Sequence, residues 1–312
     1  MKKIFEKVSI PISGLMLALA TTGNLLLTYG KIYRNIFGVL AAVILVFILG
    51  KVRTDFKDIL DSLRNPVMAS IAATFTMGLM VLSTYINKLS NTLGISIWII
   101  GLGLHFLLIV YFTGKFMIKL DINKVFPSFF IVYVGIVVGS ITAPAYNLFE
   151  IGQYLFWFGL ISYFILLPIL LYRVVVIKNI PEPVLPTIII FAAPASLCLA
   201  GYLSSFTEKN IIIVGILSVL SITMYIWALT CLPKLLKLKF YPSYSAFTFP
   251  LVISAIAMKQ TNGFLLKMGK EIMLLKYFVH FQTIISLLIV LYVLYKYCIF
   301  LFSDISKAKV IK

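Results

Sequence analysis

Ten long apolar stretches constrain the fold of this chain more than any other feature of its sequence. A helix needs about 20 consecutive apolar residues to cross the hydrocarbon core of a bilayer. The 312 residues are 62% hydrophobic and 12% charged, so the sequence predicts an all-α integral membrane protein with a single transmembrane domain over residues 1–312. The predicted spans are residues 9–29, 35–50, 66–86, 93–114, 127–147, 151–172, 184–204, 211–232, 242–259 and 278–300.

The distribution of basic residues predicts how these spans are oriented. The formal net charge is +17, which in a water-soluble protein would suggest a nucleic-acid partner. Here the basic residues lie in short segments beside the apolar runs, and 19 of the 27 Lys and Arg residues fall on one face of the membrane. The positive-inside rule then predicts a multi-pass protein of the plasma membrane, with both termini in the cytoplasm and no nucleic-acid partner.

A proline near the start of every odd-numbered span indicates an internal repeat. These prolines recur at intervals of 55 to 61 residues, which predicts a unit of two antiparallel helices that is repeated five times. Proline is common in the first turn of any helix, so the repeat also depends on the Ser or Thr that follows four of them within two positions. The prolines are Pro11, Pro66, Pro127, Pro186 and Pro242.

The odd and even spans differ in composition. The odd spans are rich in Gly, Ser, Thr and Pro, whereas the even spans consist mainly of bulky aliphatic and aromatic residues. Small and polar residues allow helices to approach one another closely. Two interpretations stay open at this point: the odd spans form a tightly packed interior, or they line a pore inside an outer ring of even spans. The possible pore-lining hydroxyls are Ser13, Thr21, Thr74, Ser140, Ser196 and Ser245.

Residues that bend helices lie inside the odd spans and indicate an interior path. Proline in a helix removes a backbone hydrogen bond, and in a bilayer the freed carbonyl group is tolerated only against protein or water. Span nine is the clearest case, because it begins with one proline and carries a second in its middle. The candidate kinks are Gly14, Pro144, Pro194 and Pro250.

Ionisable groups are scarce within the spans, which favours a passive path over an ion-coupled pump. We predict that His105, in span four, packs against a neighbouring helix and is hydrogen-bonded there. We expect Lys259, at the outer end of span nine, to extend outward to the membrane interface.

The loop after span two carries three acidic residues, Asp55, Asp58 and Asp61, at intervals of three. This spacing resembles the magnesium-diphosphate sites of membrane prenyltransferases, but that chemistry needs a second acidic motif, which the sequence lacks. The interleaved basic residues instead predict a solvated helix with internal ion pairs. The three cysteines are far apart, so the sequence predicts no metal site. It contains no P-loop, HExxH, GxSxG or CxxC motif, so we expect no cofactor and no enzymatic activity.

Three stretches of the sequence resemble the tellurite-resistance and dicarboxylate transporter family, which includes bacterial TehA, the fungal malic acid transporters and the slow anion channels of plant guard cells. The stretches are PISGLMLALATTGNL in span one, PTIIIFAAPASLCLAGY in span seven and SAFTFPLVISAIAMK in span nine. The resemblance covers nearly the whole chain, and its most specific parts are residues 193–196 and 245–250.

The resemblance implies a fold and a function. The fold has ten transmembrane helices arranged as five hairpins, with an inner ring of odd helices around a central pore, and it assembles as a homotrimer in the lipid bilayer. A phenylalanine on span nine closes the pore midway, and by motif position it is Phe249. Phe247 would then face elsewhere, because residues two apart lie on different sides of a helix.

A neutral, weakly polar pore suits small monovalent anions such as chloride and nitrate, because they lose their hydration shells more easily than divalent anions. The alternative is a transporter for dicarboxylates such as malate, coupled to protons. A membrane scaffold without transport activity also stays open.

Overall fold

The computed structural model describes the backbone of residues 2–309, and within that range the chain forms helices and no strand. The predicted termini include residues 1 and 310–312, which lie outside the described residues. The α-helices are α1 (Lys2–Lys7), α2 (Ile12–Leu26), α3 (Lys31–Thr54), α4 (Phe56–Ser62), α5 (Pro66–Ile86), α6 (Asn91–Phe112), α7 (Phe129–Tyr133), α8 (Val137–Thr142), α9 (Phe149–Leu171), α10 (Ala193–Ser205), α11 (Ile211–Leu235), α12 (Phe249–Lys267) and α13 (Met273–Lys309).

Eight of the ten predicted spans coincide with helices that are long and apolar enough to cross a membrane. The fifth and the ninth spans are not among these eight, and both change helix type along their length. The fifth consists of α7, a turn, α8 and the 3-10 helix Ala143–Tyr146, and the ninth begins as the 3-10 helix Pro242–Phe247 before α12. The structure therefore supports a helical membrane protein, whereas the prediction of ten regular helices is not confirmed.

Burial separates the odd spans from the even ones. In the helices of the first, third and seventh spans, at least 72% of the most apolar window is buried inside the protein. In the five even-numbered helices this fraction is at most 28%. The exposed side chains of the even helices are mostly Ile, Leu, Val and aromatic residues, which suit contact with lipid.

We call the five odd spans the inner segments and keep their span numbers, so that they are the first, third, fifth, seventh and ninth. The inner segments contact one another in a closed cycle. Helix α2 contacts α5, α5 contacts α7 and α8, α8 contacts α10, α10 contacts α12, and α12 contacts α2. Each even helix packs against the inner segment that precedes it in the chain. We call the end of this cycle at which the inner segments begin the lower end, and the opposite end the upper end.

Hydroxyl groups join four of the five contacts in this cycle. At each one, a Ser or Thr hydroxyl of one inner segment lies 2.7–3.2 Å from a hydroxyl of the next. The partners are 58 to 65 residues apart, close to the interval between the prolines, so the repeated sequence places equivalent groups against each other. The pairs are Ser13 with Thr74, Ser70 with Ser128, Ser140 with Ser205, and Ser196 with Ser254.

A network of ion pairs joins the acidic helix α4 to the lower end of the bundle. The buried Lys51 ammonium lies 2.9 Å from Asp55 Oδ2 and 2.8 Å from Asp58 Oδ2, and Arg64 pairs with Asp61 at 3.5 Å. The predicted ion pairs form, but they are not internal to one helix, because Lys51 lies in α3 and Arg64 follows the end of α4. The hydrogen bond from Lys51 lowers the pKa of Asp55, so its stabilising effect is present above the ordinary Asp pKa and is lost as the pH falls through the lowered value.

We expect Lys51→Met to make α4 more susceptible to proteolysis. The Lys51 ammonium also donates to the Glu6 carbonyl oxygen of α1 at 3.3 Å, so its removal releases α4 from α3 and weakens the contact between α3 and α1. Partly exposed ion pairs are worth about 1 kcal/mol or less, which predicts local loosening and a folded bundle. Limited proteolysis with chymotrypsin measures the rate of cleavage after the exposed Phe56. This rate should be several-fold higher in Lys51→Met than in the wild-type protein, whereas the matched variant Lys57→Met should be cleaved at the wild-type rate. Equal rates in all three proteins would contradict the role of Lys51.

Candidate functional site

Two cavities lie inside the cycle of inner segments. The lower cavity has a volume of about 40 Å³ and is lined by residues from all five inner segments. Its surface is mostly apolar, with hydroxyl groups from the third and the ninth segments. One lining residue from each inner segment, in chain order, is Gly14, Thr74, Phe130, Pro194 and Ser245.

The upper cavity is larger and more polar. Its volume is about 320 Å³, and it is lined by the first, third, fifth and ninth inner segments. Among the described residues that line the two cavities, Lys259 is the only charged one. The polar residues that line the upper cavity are Thr21, Asn24, Thr28, Thr142, Lys259 and Gln260.

Phe249 is the one described residue that lines both cavities. It is the first residue of α12 and is 6% exposed. Pro250 follows it at the point where the 3-10 helix Pro242–Phe247 gives way to α12. Because proline has no N–H group and a fixed φ, it fits the first turn of a new helix and marks this change in helix type.

Phe247, two residues earlier, lines neither of these cavities. Its side chain is fully buried and packs against Tyr244, with the ring centroids 4.8 Å apart. The expectation that the two phenylalanines face different surroundings therefore agrees with their positions in the structure.

The seventh and the fifth inner segments change helix type as well. In the seventh, the 3-10 helix Glu182–Ala192 passes into α10, whose second residue is Pro194. In the fifth, a turn centred on Gly135 separates α7 from α8. Short 3-10 stretches within a helical path often mark strain or a hinge, and three of the five inner segments carry such an irregularity.

The other two candidate kinks lie in different surroundings. Pro144 belongs to the 3-10 helix Ala143–Tyr146, after the end of α8. Gly14 lies within the uninterrupted helix α2. A Cβ atom added at Gly14 would be 3.1 Å from the Cβ of Ser245, so this glycine permits a close approach between the first and the ninth inner segments.

The six hydroxyls singled out in the sequence divide into two groups. Thr74 and Ser245 line the lower cavity, and Thr21 lines the upper one. The remaining three lie outside both cavities. The hydroxyl of Ser13 bonds to Thr74, that of Ser140 faces Ser205, and that of Ser196 bonds to both Ser221 and Ser254.

His105 is buried between the third, fourth and fifth spans and lines neither cavity. Its Nδ1 lies 2.6 Å from Thr76 Oγ1, and its Nε2 lies 3.0 Å from the carbonyl oxygen of Val132. The Val132 carbonyl lies next to the turn between α7 and α8, where the regular helical bonds are interrupted. The prediction that His105 is bonded to a neighbouring helix is confirmed.

Lys259 reaches the upper end of α2, beside the exposed residues Thr28 and Tyr29, as an outward-extending side chain would, but it also lines a cavity that the sequence did not predict. Its ammonium group donates to the carbonyl oxygen of Leu25 at 2.6 Å and to Thr28 Oγ1 at 2.7 Å, and the side chain lines the upper cavity. Sequence reasoning also missed Asn24 and Gln260 in this lining. Their polar character near a span end was the available signal, but it does not distinguish a cavity from the membrane interface.

Channels and transporters use buried segments of this kind around cavities in which, among the described residues, a single one is charged. The chain belongs to the family described as voltage-dependent anion channel (SLAC1), whose family model matches residues 8–298. The family confirms the resemblance that the sequence predicted and supports an anion channel or transporter in general terms. No curated protein matched the chain in a sequence comparison.

Proposed function

We propose that the protein conducts small monovalent anions, such as chloride and nitrate, through the two cavities, with Phe249 as the gate between them. The observation that carries this proposal is the position of Phe249, which is shared by the linings of both cavities. An aromatic ring in that position blocks passage sterically. A change of its side-chain rotamer would connect the cavities.

The neighbouring residues support the gate in this proposal. Pro250 fixes the backbone that follows the gating ring, and Pro194 fixes the backbone at the start of α10 in the neighbouring seventh segment. Gly14 allows the first segment to approach the ninth closely, and Pro144 ends the fifth segment's helix α8. The hydroxyls of Thr74 and Ser245 below the ring and of Thr21 above it would contact the passing anion.

The charge distribution supports monovalent anions as the substrates. None of the described residues that line the lower cavity is charged. No fixed cation among them could therefore compensate the dehydration of a divalent anion, which is more costly than that of a monovalent one. Selectivity would therefore follow the ease of dehydration, with nitrate and iodide ahead of chloride.

We also propose the orientation and assembly that the sequence predicted. With both termini in the cytoplasm of a plasma-membrane protein, the lower end faces the cytoplasm. The inner segments all begin there, and helix N-termini attract anions. The proposed assembly is a homotrimer with one path in each protomer. Light scattering of the detergent-solubilised protein would give its mass, and a monomeric mass would contradict this part of the proposal.

Electrical recording tests the proposed conduction. The purified protein is reconstituted into planar bilayers under a salt gradient, first in chloride and then in nitrate. We expect a small current whose reversal potential indicates anion selectivity, with nitrate more permeant than chloride. A cation-selective current would contradict the proposal. Absence of current together with malate uptake into proteoliposomes would favour the dicarboxylate carrier.

The position of His105 bears on the proton-coupled alternative. Both ring nitrogens have partners inside the protein and the ring faces neither cavity, so we expect His105→Ala to leave the pH dependence of anion flux unchanged. The substitution should lower the thermal stability, because an unpaired buried polar group costs about 1–3 kcal/mol. His280→Ala is the matched control. Acid-stimulated malate uptake that disappears only in His105→Ala would favour the carrier.

A further inference from the structure

The upper cavity contains a cationic group that is held in place by neutral partners. Lys259 donates two hydrogen bonds to the first inner segment, to the carbonyl oxygen of Leu25 and to the hydroxyl of Thr28. An ammonium group has three N–H donors, so one donor remains beside the Tyr29 ring, whose centre lies 5.6 Å from the ammonium, and the positive charge is not neutralised. The two bonds turn this side chain from the middle of α12 toward α2, across the cavity that both helices line.

Carboxylates do not neutralise this charge. Within the described part of the chain, the ion pairs shorter than 4 Å involve Lys51, Arg64 and Lys124, all near the lower end. Lys259 has no such partner there. Its position in a partly enclosed, polar cavity makes an unneutralised cation a strong attractor for an anion, because the interaction is screened less than at an open surface.

A second cation, Arg34, lies next to the upper cavity and bonds to Asn24 of its lining. The buried Arg34 donates from Nε to Asn24 Oδ1 at 2.8 Å and from Nη2 to the Thr84 carbonyl oxygen at 3.2 Å, and its guanidinium stacks on Tyr85 at 3.9 Å. All of these partners are neutral. The charge of Arg34 also lowers the pKa of Lys88 in the adjoining loop, which indicates a positive potential at the upper end.

Two side-chain amides complete the lining near Lys259. Asn24 uses its oxygen to bind Arg34, which leaves its amide N–H groups available. Gln260 Nε2 donates to Ser204 Oγ at 3.2 Å, while Gln260 Oε1 is buried without a partner within the described structure. Rotation of this amide by 180° exchanges oxygen for nitrogen. The serine hydroxyl would then donate to the amide oxygen, and the unpartnered atom would become a donor.

The geometry points to a binding site for a small monovalent anion, such as nitrate or iodide, in the upper cavity, formed by Lys259, Asn24 and Gln260. The volume of about 320 Å³ admits such an anion with part of its water. The site lies on the upper side of Phe249, so it would concentrate the permeant ion next to the gate. Its contribution to transport rests on the proposed function, whereas binding itself requires only the closed protein.

Thermal unfolding of the purified wild-type protein tests binding without transport. The midpoint is measured in sodium nitrate, sodium iodide and sodium gluconate at equal ionic strength. We expect a saturable rise in the midpoint with nitrate or iodide relative to gluconate, because a ligand that binds the folded state stabilises it. The rise should be lost in Lys259→Gln and kept in Lys267→Gln, an exposed lysine at the end of the same helix.

Each variant is compared only with itself in gluconate, so a general loss of stability in Lys259→Gln does not affect the result. Lys259→Arg should retain the anion-dependent rise because it keeps the positive charge. A rise that persists unchanged in Lys259→Gln, or that is absent from the wild-type protein, would overturn the proposed site.

Conductance in a Phe249→Ala background separates this inference from the proposed function. Adding Lys259→Gln should raise the half-saturating nitrate concentration about tenfold, which corresponds to about 1.4 kcal/mol of lost attraction. A Lys259-dependent thermal shift without any anion current would support the site and contradict the proposed conduction. An anion current with an unchanged half-saturating concentration would support conduction and overturn the role of Lys259.

Discussion

Replacing Phe249 with Ala should raise the anion conductance of the protein by at least about tenfold. The substitution removes the one described side chain that the linings of the lower and upper cavities share, so the two spaces would join into a continuous path. A tenfold increase requires the loss of a barrier of only about 1.4 kcal/mol. Planar-bilayer recordings in chloride and in nitrate, at equal amounts of reconstituted protein, measure this change.

Phe247→Ala is the matched control for the gate. It removes the same side chain two residues earlier, where the ring is buried against Tyr244 and lines neither cavity. Truncating a buried phenylalanine costs about 3–5 kcal/mol of stability, so this variant should be less stable without conducting more. Phe249→Leu should lie between the wild-type protein and Phe249→Ala. Equal conductance in both alanine variants would contradict the assignment of the gate.

We expect Gly23→Val to be the most disruptive single substitution in the first inner segment. A Cβ atom at Gly23 would be 2.9 Å from the backbone oxygen of Arg34 on α3 and would also collide with the hydroxyl of Tyr85. Backbone atoms cannot move aside as a flexible side chain can, so α2 and α3 would separate. Overpacking of this kind costs about 1–3 kcal/mol. The thermal unfolding midpoint of the solubilised protein measures the loss.

Gly215→Val provides the control for Gly23. Gly215 lies in the outer helix α11, and a Cβ atom there would have no described atom within 4 Å. We expect this variant to unfold within a degree or two of the wild-type protein, because a lipid-facing methyl group displaces nothing and surface substitutions change stability by about 0.5 kcal/mol or less. A similar loss in both variants would indicate a general effect of β-branching, and the contact between α2 and α3 would not be the cause.

Much of the fold could be predicted from the sequence. Eight of the ten predicted spans coincide with helices that meet the requirements for crossing a membrane, and the composition of the odd and even spans anticipated which would be buried. These properties follow from individual residues and their immediate neighbours, because partition between lipid and protein depends on the character of each side chain. The proline interval likewise anticipated the spacing of the hydroxyl pairs between inner segments.

The candidate site could be predicted only in part. Ser196 and Thr74 are both small hydroxyl residues in odd spans, yet Ser196 joins three helices and Thr74 lines the lower cavity. Their sequence contexts contain no information that separates these roles. The resemblance of its motif to a family identified Phe249 as a candidate. Its position between two cavities depends on how the inner segments pack together, which the motif does not specify.

The sequence by itself therefore determined that the chain is a helical membrane protein with a buried and an exposed set of helices. Tertiary structure decided where the fifth and ninth spans are interrupted, which hydroxyls line a cavity, and that Lys259 turns toward α2. The reason is physical: hydropathy is a property of each residue, whereas a cavity exists only between helices. The rotation of each helix about its axis, and the neighbour it meets, depend on side chains more than 50 residues away in the chain, as the distant partners of Lys259 illustrate.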